Sequence, residues 1–326
     1  MAHGGEVTSP SGSCLIVSYH YVRDTAGSRF PRINALSRSG FSSQVEQLVQ
    51  ACDMLDYAAM IEIVGGTRRP DRPSALLTFD DGLVDHYETV FPLLQAHSLR
   101  GIFFVSPPSG RVLNVQKTQL LLATIGGEAL LGEVKTLAAR AGYVPTPHPV
   151  PPVLYRYDAE ANRQVKQLLN YELPYAIADE LLTSLFERHV GPEQELAPAL
   201  YLSEAMIKEM SRAGMTIGFH THRHRVLSRL NADQQRVDIH DGVEWIKGIT
   251  GQATVPFCYP HGHAHAYNQD TLAVVRDAGY SMAFTAVRAM SRPGDDHRYE
   301  IPRYDTCDVS AALATMGLRP GAWVAD

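Results

Sequence analysis

The chain has 326 residues, 45% of them hydrophobic and 20% charged, the balance of a globular protein with a large core rather than a disordered or fibrous one. Twenty-nine Lys and Arg against 35 Asp and Glu give a formal net charge of -6, which argues against nucleic acid or an anionic membrane as the main partner. No apolar run reaches the ~18 residues that a membrane-spanning helix requires.

The four cysteines, Cys14, Cys52, Cys258 and Cys307, are scattered rather than paired, so a reducing, cytoplasmic setting is the expectation. Residues 1–13 are polar and rich in Gly and Ser, lack the basic and apolar regions of a secretion signal, and read as a disordered leader to a single domain over 14–326.

In chain order, residues 14–19 are a β-rich apolar run that delivers His20 to its C-terminal end. Val45, Leu48, Val49 and Cys52 then mark one helical face, with Ser42 or Ser43 as N-cap. Residues 61–64 read as a short strand. The run 74–78 is a buried strand that stops at Phe79-Asp80-Asp81-Gly82, a helix follows over about 84–97, and 101–105 is the next strand. Such β-α-β alternation implies a parallel sheet or barrel whose functional residues sit at the C-terminal strand ends.

The rhythm breaks at Pro107. Residues 107–202 read as a largely helical, substrate-facing insertion, with helices near 120–123, 129–141 and 161–169 and a Pro-rich run at 144–152. Beyond it, Met206, Ile207 and Met210 mark a helix that ends at Gly214, and 215–219 is a strand running into His220-Thr221-His222-Arg223-His224. A long helix over about 232–250, a strand at 254–259 and a helix at 268–278 follow. Strands at 281–285 and 298–304 and a last helix from Val309 complete the reading.

Two adjacent carboxylates at a buried strand end are costly unless a cation lies between them or one serves as a base. His220 and His224, four apart, can grip one divalent ion, and Asp81 supplies a hard third ligand. Two imidazoles and one carboxylate leave positions open for water and a substrate oxygen. His222 lies between the two and points elsewhere. His263 and His265 read as solvated loop residues.

Thr78-Phe79-Asp80-Asp81-Gly82 and His220-Thr221-His222-Arg223-His224 resemble the T-F-D-D-G and H-[ST]-x-x-H motifs of the polysaccharide deacetylase family, the NodB-homology domain of carbohydrate esterase family 4. Phe257-Cys258-Tyr259-Pro260-His261-Gly262 is similar to the family's F-x-Y-P-x-G segment. The resemblance implies an α/β fold, a distorted (β/α) barrel of about seven strands, and metal-dependent removal of an acetyl group from an N-acetylated sugar. It makes Asp80 the base and Asp81, His220 and His224 the ligands of one divalent ion, usually zinc. Tyr259, Arg303 and His261, the last through its backbone N–H, become substrate or oxyanion contacts.

Two departures stand out. Cys258 occupies the place of an Arg that orients the base in many members, so that orientation must come from elsewhere. The late L-x-H segment that carries the proton donor has no clear counterpart, and His20, in a segment that resembles the family's Y-H-x-V, takes that role. Arg303, in Ile301-Pro302-Arg303, can orient a carboxylate or a substrate. The expected substrate is a cytosolic N-acylated sugar, nucleotide sugar or glycan intermediate. A deformylase, a ureide or amide hydrolase, and a carbohydrate-binding protein with a relic site are the alternatives. Oligomeric state is not legible.

Overall fold

The structure, a computed structural model, describes residues 13–146, 154–292 and 298–318. The first twelve residues of the expected leader and 147–152 of the Pro-rich run lie outside the described residues.

The first half of the core runs β1 (Cys14–Tyr19), α1 (Arg38–Ala51), β2 (Asp53–Met54), α2 (Tyr57–Val64), β3 (Ser74–Phe79), a π-helical turn (His86–Val90), α3 (Phe91–Ala96) and β4 (Gly101–Val105). Five helices follow, α4 (Asn114–Ile125), α5 (Gly127–Arg140), α6 (Glu160–Gln167), α7 (Tyr175–His189) and α8 (Glu193–Leu200). The second half runs α9 (Glu204–Arg212), β5 (Thr216–Phe219), α10 (Ala232–Ile239), α11 (Gly242–Thr250), β6 (Phe257–Cys258), α12 (Gln269–Asp277), β7 (Ala283–Phe284), β8 (Tyr304–Asp305) and α13 (Val309–Thr315).

Seven strands pair in the order β7-β6-β5-β4-β3-β1-β8, all parallel, and β2 adds to the start of β3. The curled sheet is nearly closed by residues 301–305. Ile301 exchanges backbone hydrogen bonds with β7, and Tyr304 and Asp305 pair with β1. This is the expected distorted (β/α) barrel of about seven strands.

Alternation along the strands sorts the two faces. Leu15, Val17, Leu77, Phe79, Phe103 and Ile217 face the helices outside. Ile16, Leu76, Ile102, Phe104, Cys258 and Phe284 fill the barrel, and Tyr57, Met60 and Ile63 of α2 join them. The same parity carries Thr78 and Asp80 inward above Leu76, so the barrel lining turns polar where the strands end.

Several local expectations are corrected. Residues 61–64 are helical: Asp56 caps α2 by accepting the Ala59 N–H at 2.8 Å, and Met60 and Ile63 fall on one buried face. Helix α1 begins earlier than expected, capped by Ser37, whose hydroxyl accepts the Gly40 N–H at 3.0 Å. The long helix over 232–250 is two helices. Gly242 opens the second, and a Cβ there would lie 2.4 Å from Phe219 and from the Tyr280 hydroxyl.

Helices α4–α8 share a separate buried cluster built from Leu121, Leu130, Val134, Leu182, Leu185 and Phe186, with Tyr21, Ile33 and Leu83 joining it. Neither α7 nor α8 is among the expected helices, although Ala178, Leu181, Leu182, Leu185 and Phe186 carry the helical period.

Candidate metal centre

The candidate side chains of the first strand and of the three motifs enter at C-terminal strand ends, and Arg303 comes in just ahead of β8. The parallel ladder extends one residue past β3 and β5, through Asp80 N–H to the Tyr19 carbonyl and His220 N–H to the Val105 carbonyl, both at 2.9 Å. The chain then turns sharply. Asp81, Thr221, His224 and His261 are four of the six non-glycine residues with positive φ among the described residues. Sparsely populated backbone collected at one place is characteristic of a site where geometry is over-determined by its surroundings. Gly262, with φ +58°, keeps the third loop close: a Cβ there would stand 2.5 Å from the Ala286 nitrogen.

Asp81, His220 and His224 converge. Asp81 Oδ1 lies 3.5 Å from His220 Nε2 and 3.3 Å from His224 Nε2, and all three residues are buried. That Oδ1 has no hydrogen-bond partner among the described residues. Asp81 Oδ2 is satisfied, accepting from Gln116 Nε2 at 2.8 Å. His220 donates its Nδ1–H to the Cys258 carbonyl at 2.9 Å, which leaves the Nε2 lone pair facing the carboxylate. Burial resists charge on Asp81, but the two imidazoles outweigh it and hold the carboxyl well below its ordinary range.

An unpartnered carboxylate oxygen and two imidazole nitrogens within reach of one another form a donor set that fits a divalent cation. Without one, the buried oxygen would carry an uncompensated desolvation cost.

Asp80 stands beside this triad on a different set of partners. Arg303 donates Nη1–H to Asp80 Oδ1 at 2.8 Å and Nη2–H to Oδ2 at 2.7 Å. The same guanidinium donates to the Thr285 carbonyl at 2.7 Å, to Thr78 Oγ1 at 2.9 Å and to Cys258 Sγ at 3.1 Å. All of it is buried. Burial pushes toward protonating Asp80, yet the Arg303 charge and hydrogen bonds, with His220 and His20 adding to them, hold its pKa far below the carboxylate range. Arg303 therefore does what an Arg at position 258 cannot do here. Of the two roles open to it, the structure places it on the carboxylate; its donors are turned to the protein and not to a substrate.

His20 Nε2 lies 3.9 Å from Asp80 Oδ2 on the open side, its side chain 40% exposed. Its segment is held from below. Asp85 accepts from the Val22 N–H at 3.1 Å and from Arg23 Nε at 2.7 Å, and His86 Nε2–H donates to the His20 carbonyl at 2.9 Å.

His261 packs its ring edge-to-face on His224, with centroids 4.9 Å apart. Its backbone N–H meets no acceptor among the described residues. Tyr259 is not brought to the site: its hydroxyl donates to the Tyr299 carbonyl at 2.9 Å, its N–H to the Phe284 carbonyl at 3.1 Å, and its ring stacks on Tyr267. His222 points away, to Asp241 at 2.6 Å. His263 is no solvated loop residue. It is half-buried, with Nε2 2.5 Å from the Tyr171 hydroxyl.

Gln116 was not expected. Nothing in its own neighbourhood of the sequence marks it, and only its burial against Asp81 does.

The polysaccharide deacetylase family model matches residues 181–283, a span that contains the second and third motifs. The putative polysaccharide deacetylase YxkH of Bacillus subtilis is 33% identical over 85 residues, which is 26% of this chain and 29% of that protein's length. The Streptococcus pyogenes deacetylase PplD, solved in complex with acetate, superposes with a TM-score of 0.58 at 16% identity, covering 94% of this chain and 99% of that one. IcaB from Ammonifex degensii gives a TM-score of 0.55 at 20% identity over 94% of this chain and 97% of its own. The resemblance to the polysaccharide deacetylases read from three short motifs is thus borne out by a family match in the second half of the chain and by a shared fold over nearly all of it.

Proposed function

We propose that the chain is a metal-dependent hydrolase that removes an acetyl group from an N-acetylated sugar. The observation that carries this reading is the pairing of two carboxylates with opposite environments. Asp81 offers a bare oxygen to two imidazoles, while Asp80, one residue earlier, is kept ionised by a bidentate arginine.

Asp81, His220 and His224 would hold the ion, and two nitrogen donors with one oxygen suit zinc. A divalent cation bound there supplies the positive charge that acidifies a water and polarises an amide carbonyl.

The remaining work falls to the chain's own groups. Asp80, kept ionised by the Arg303 guanidinium, accepts the proton of the water as its oxygen adds to the carbonyl carbon. The free N–H of His261 donates to the oxygen that gains negative charge. His20, exposed and within 3.9 Å of Asp80, gives a proton to the departing nitrogen as the C–N bond breaks, leaving acetate and a free amine. Arg303 holds the Asp80 carboxylate in one plane throughout. The substrate class, an N-acylated sugar, nucleotide sugar or glycan intermediate, rests on the family resemblance.

Asp80→Asn tests the assignment. It keeps the shape of the residue and leaves the three ligands untouched, so bound metal stays at parent level while acetate release from N-acetylated sugars falls by ~100- to 10,000-fold, the range for loss of a general base. Unchanged acetate release would remove Asp80 from the mechanism.

A further inference from the structure

The two oxygens of Asp81 meet different fates, and the helical block between β4 and α9 decides which is which. Gln116, on α4, is fully buried. It donates Nε2–H to Asp81 Oδ2 at 2.8 Å, and its Oε1 accepts the Tyr201 hydroxyl proton at 3.1 Å. The Tyr201 oxygen in turn accepts the Leu113 N–H at 2.9 Å.

Each link has only one direction available. A backbone N–H can only donate, so the Tyr201 proton is left for Gln116 Oε1, and the Gln116 amide can then present only its NH₂ to the carboxylate. Bonds polarised in one sense reinforce each other, and this chain of them ends on a charge. The backbone adds to it: Val84 N–H donates to the Leu200 carbonyl at 2.9 Å and Leu202 N–H to the Gly82 carbonyl at 2.8 Å. Tyr201 and the turn that carries Asp81 are therefore clamped together from both sides.

We propose that Gln116 is the positioning residue of the metal-binding carboxylate, and Tyr201 the residue that orients Gln116. By occupying Oδ2, Gln116 leaves Oδ1 as the oxygen that faces His220 and His224. Helices α4 and α8 are then part of the metal cradle and not a cap laid over a finished site. This rests on the function proposed above.

The test uses the full chain stripped of metal and titrated with Zn²⁺ or Co²⁺ alone, by competition with a chromophoric chelator, together with the visible absorption of the Co²⁺ form. Gln116→Leu keeps the volume and removes the hydrogen bond. It weakens Zn²⁺ binding by ~10- to 100-fold, the range measured when a partner of a metal ligand is lost, and alters the Co²⁺ spectrum, which a loss of fold stability alone would not do. Tyr201→Phe shifts both readouts in the same direction by a smaller amount, and it decides the question if Gln116→Leu does not fold. Parent affinity and parent spectrum in the folded variants would overturn the positioning role. A parent chain that binds neither ion would instead overturn the proposed function, and the positioning role with it.

Discussion

Burial alone would put a proton on Asp80, and the guanidinium of Arg303 prevents it. The pair is buried on both sides, so removing one partner strands the other's charge. Arg303→Met is expected to destabilise the fold by about 3–5 kcal/mol, the usual cost of breaking a buried pair. It also raises the Asp80 pKa, because burial then acts unopposed. The sign follows from linkage. In the parent, the folded pKa of Asp80 lies below its unfolded value, so the stabilisation is present at neutral pH and is lost only as the pH falls through the acid range. In Arg303→Met, if acetate release persists, its acid limb moves to higher pH. A variant with parent stability and an unmoved limb would show that Arg303 does not hold the carboxylate ionised. The side chain was legible in the sequence as part of an Ile-Pro-Arg segment. Its target was not, because 223 residues separate Arg303 from Asp80 and only closure of the barrel through 301–305 brings them together.

At the scale of elements, the helical block touches all three motif loops. Gln116 of α4 reaches Asp81, Asp179 of α7 accepts from Arg225 beside the second motif at 2.7 Å, and Tyr171 meets His263 past the third. The His263 ring is held neutral there. Burial, and then the charge of His265, lower the His263 pKa from 6.5 to about 4. His263 Nδ1 accepts the His265 N–H at 3.2 Å, so a second ring proton would displace that bond. A histidine with a depressed folded pKa is protonated more readily when unfolded. Its contribution is therefore intact above pH 6.5 and lost as the pH falls toward 4. Thermal melting followed across that window should drop less steeply in His263→Gln than in the parent. Parallel curves would mean that His263 is not held neutral by the fold.

Elements were legible where a pattern was long and self-contained. The apolar runs of β1, β3 and β4 announce themselves. Residues 61–64 alternate like a strand, and it takes Asp56 as a cap and the floor of the barrel as a partner to make them helical. Strand β2, two residues long, carries no pattern at all. The break at Gly242 is set by Phe219 and Tyr280, which no local window contains. Within the site, Asp80, Asp81, His220 and His224 were visible because strand ends and four-residue spacing are local features. Gln116, Tyr201 and the engagement of Tyr259 by Tyr299 depend on which distant segment packs against them.

At the scale of the whole molecule, the chain is a parallel barrel whose interior is apolar below and charged above, with the second motif's two histidines and Gln116 of the helical block converging on the Asp81 carboxylate. Direct titration of the metal-stripped chain with Zn²⁺ tests this most plainly. One ion per chain is expected to bind, raising the unfolding free energy by about 2.7 kcal/mol when free metal is 100 times its dissociation constant. His224→Gln should lose that stabilisation while the metal-free variant melts near the parent. A chain that takes up no ion, or a His224→Gln variant that binds it as the parent does, would contradict the account.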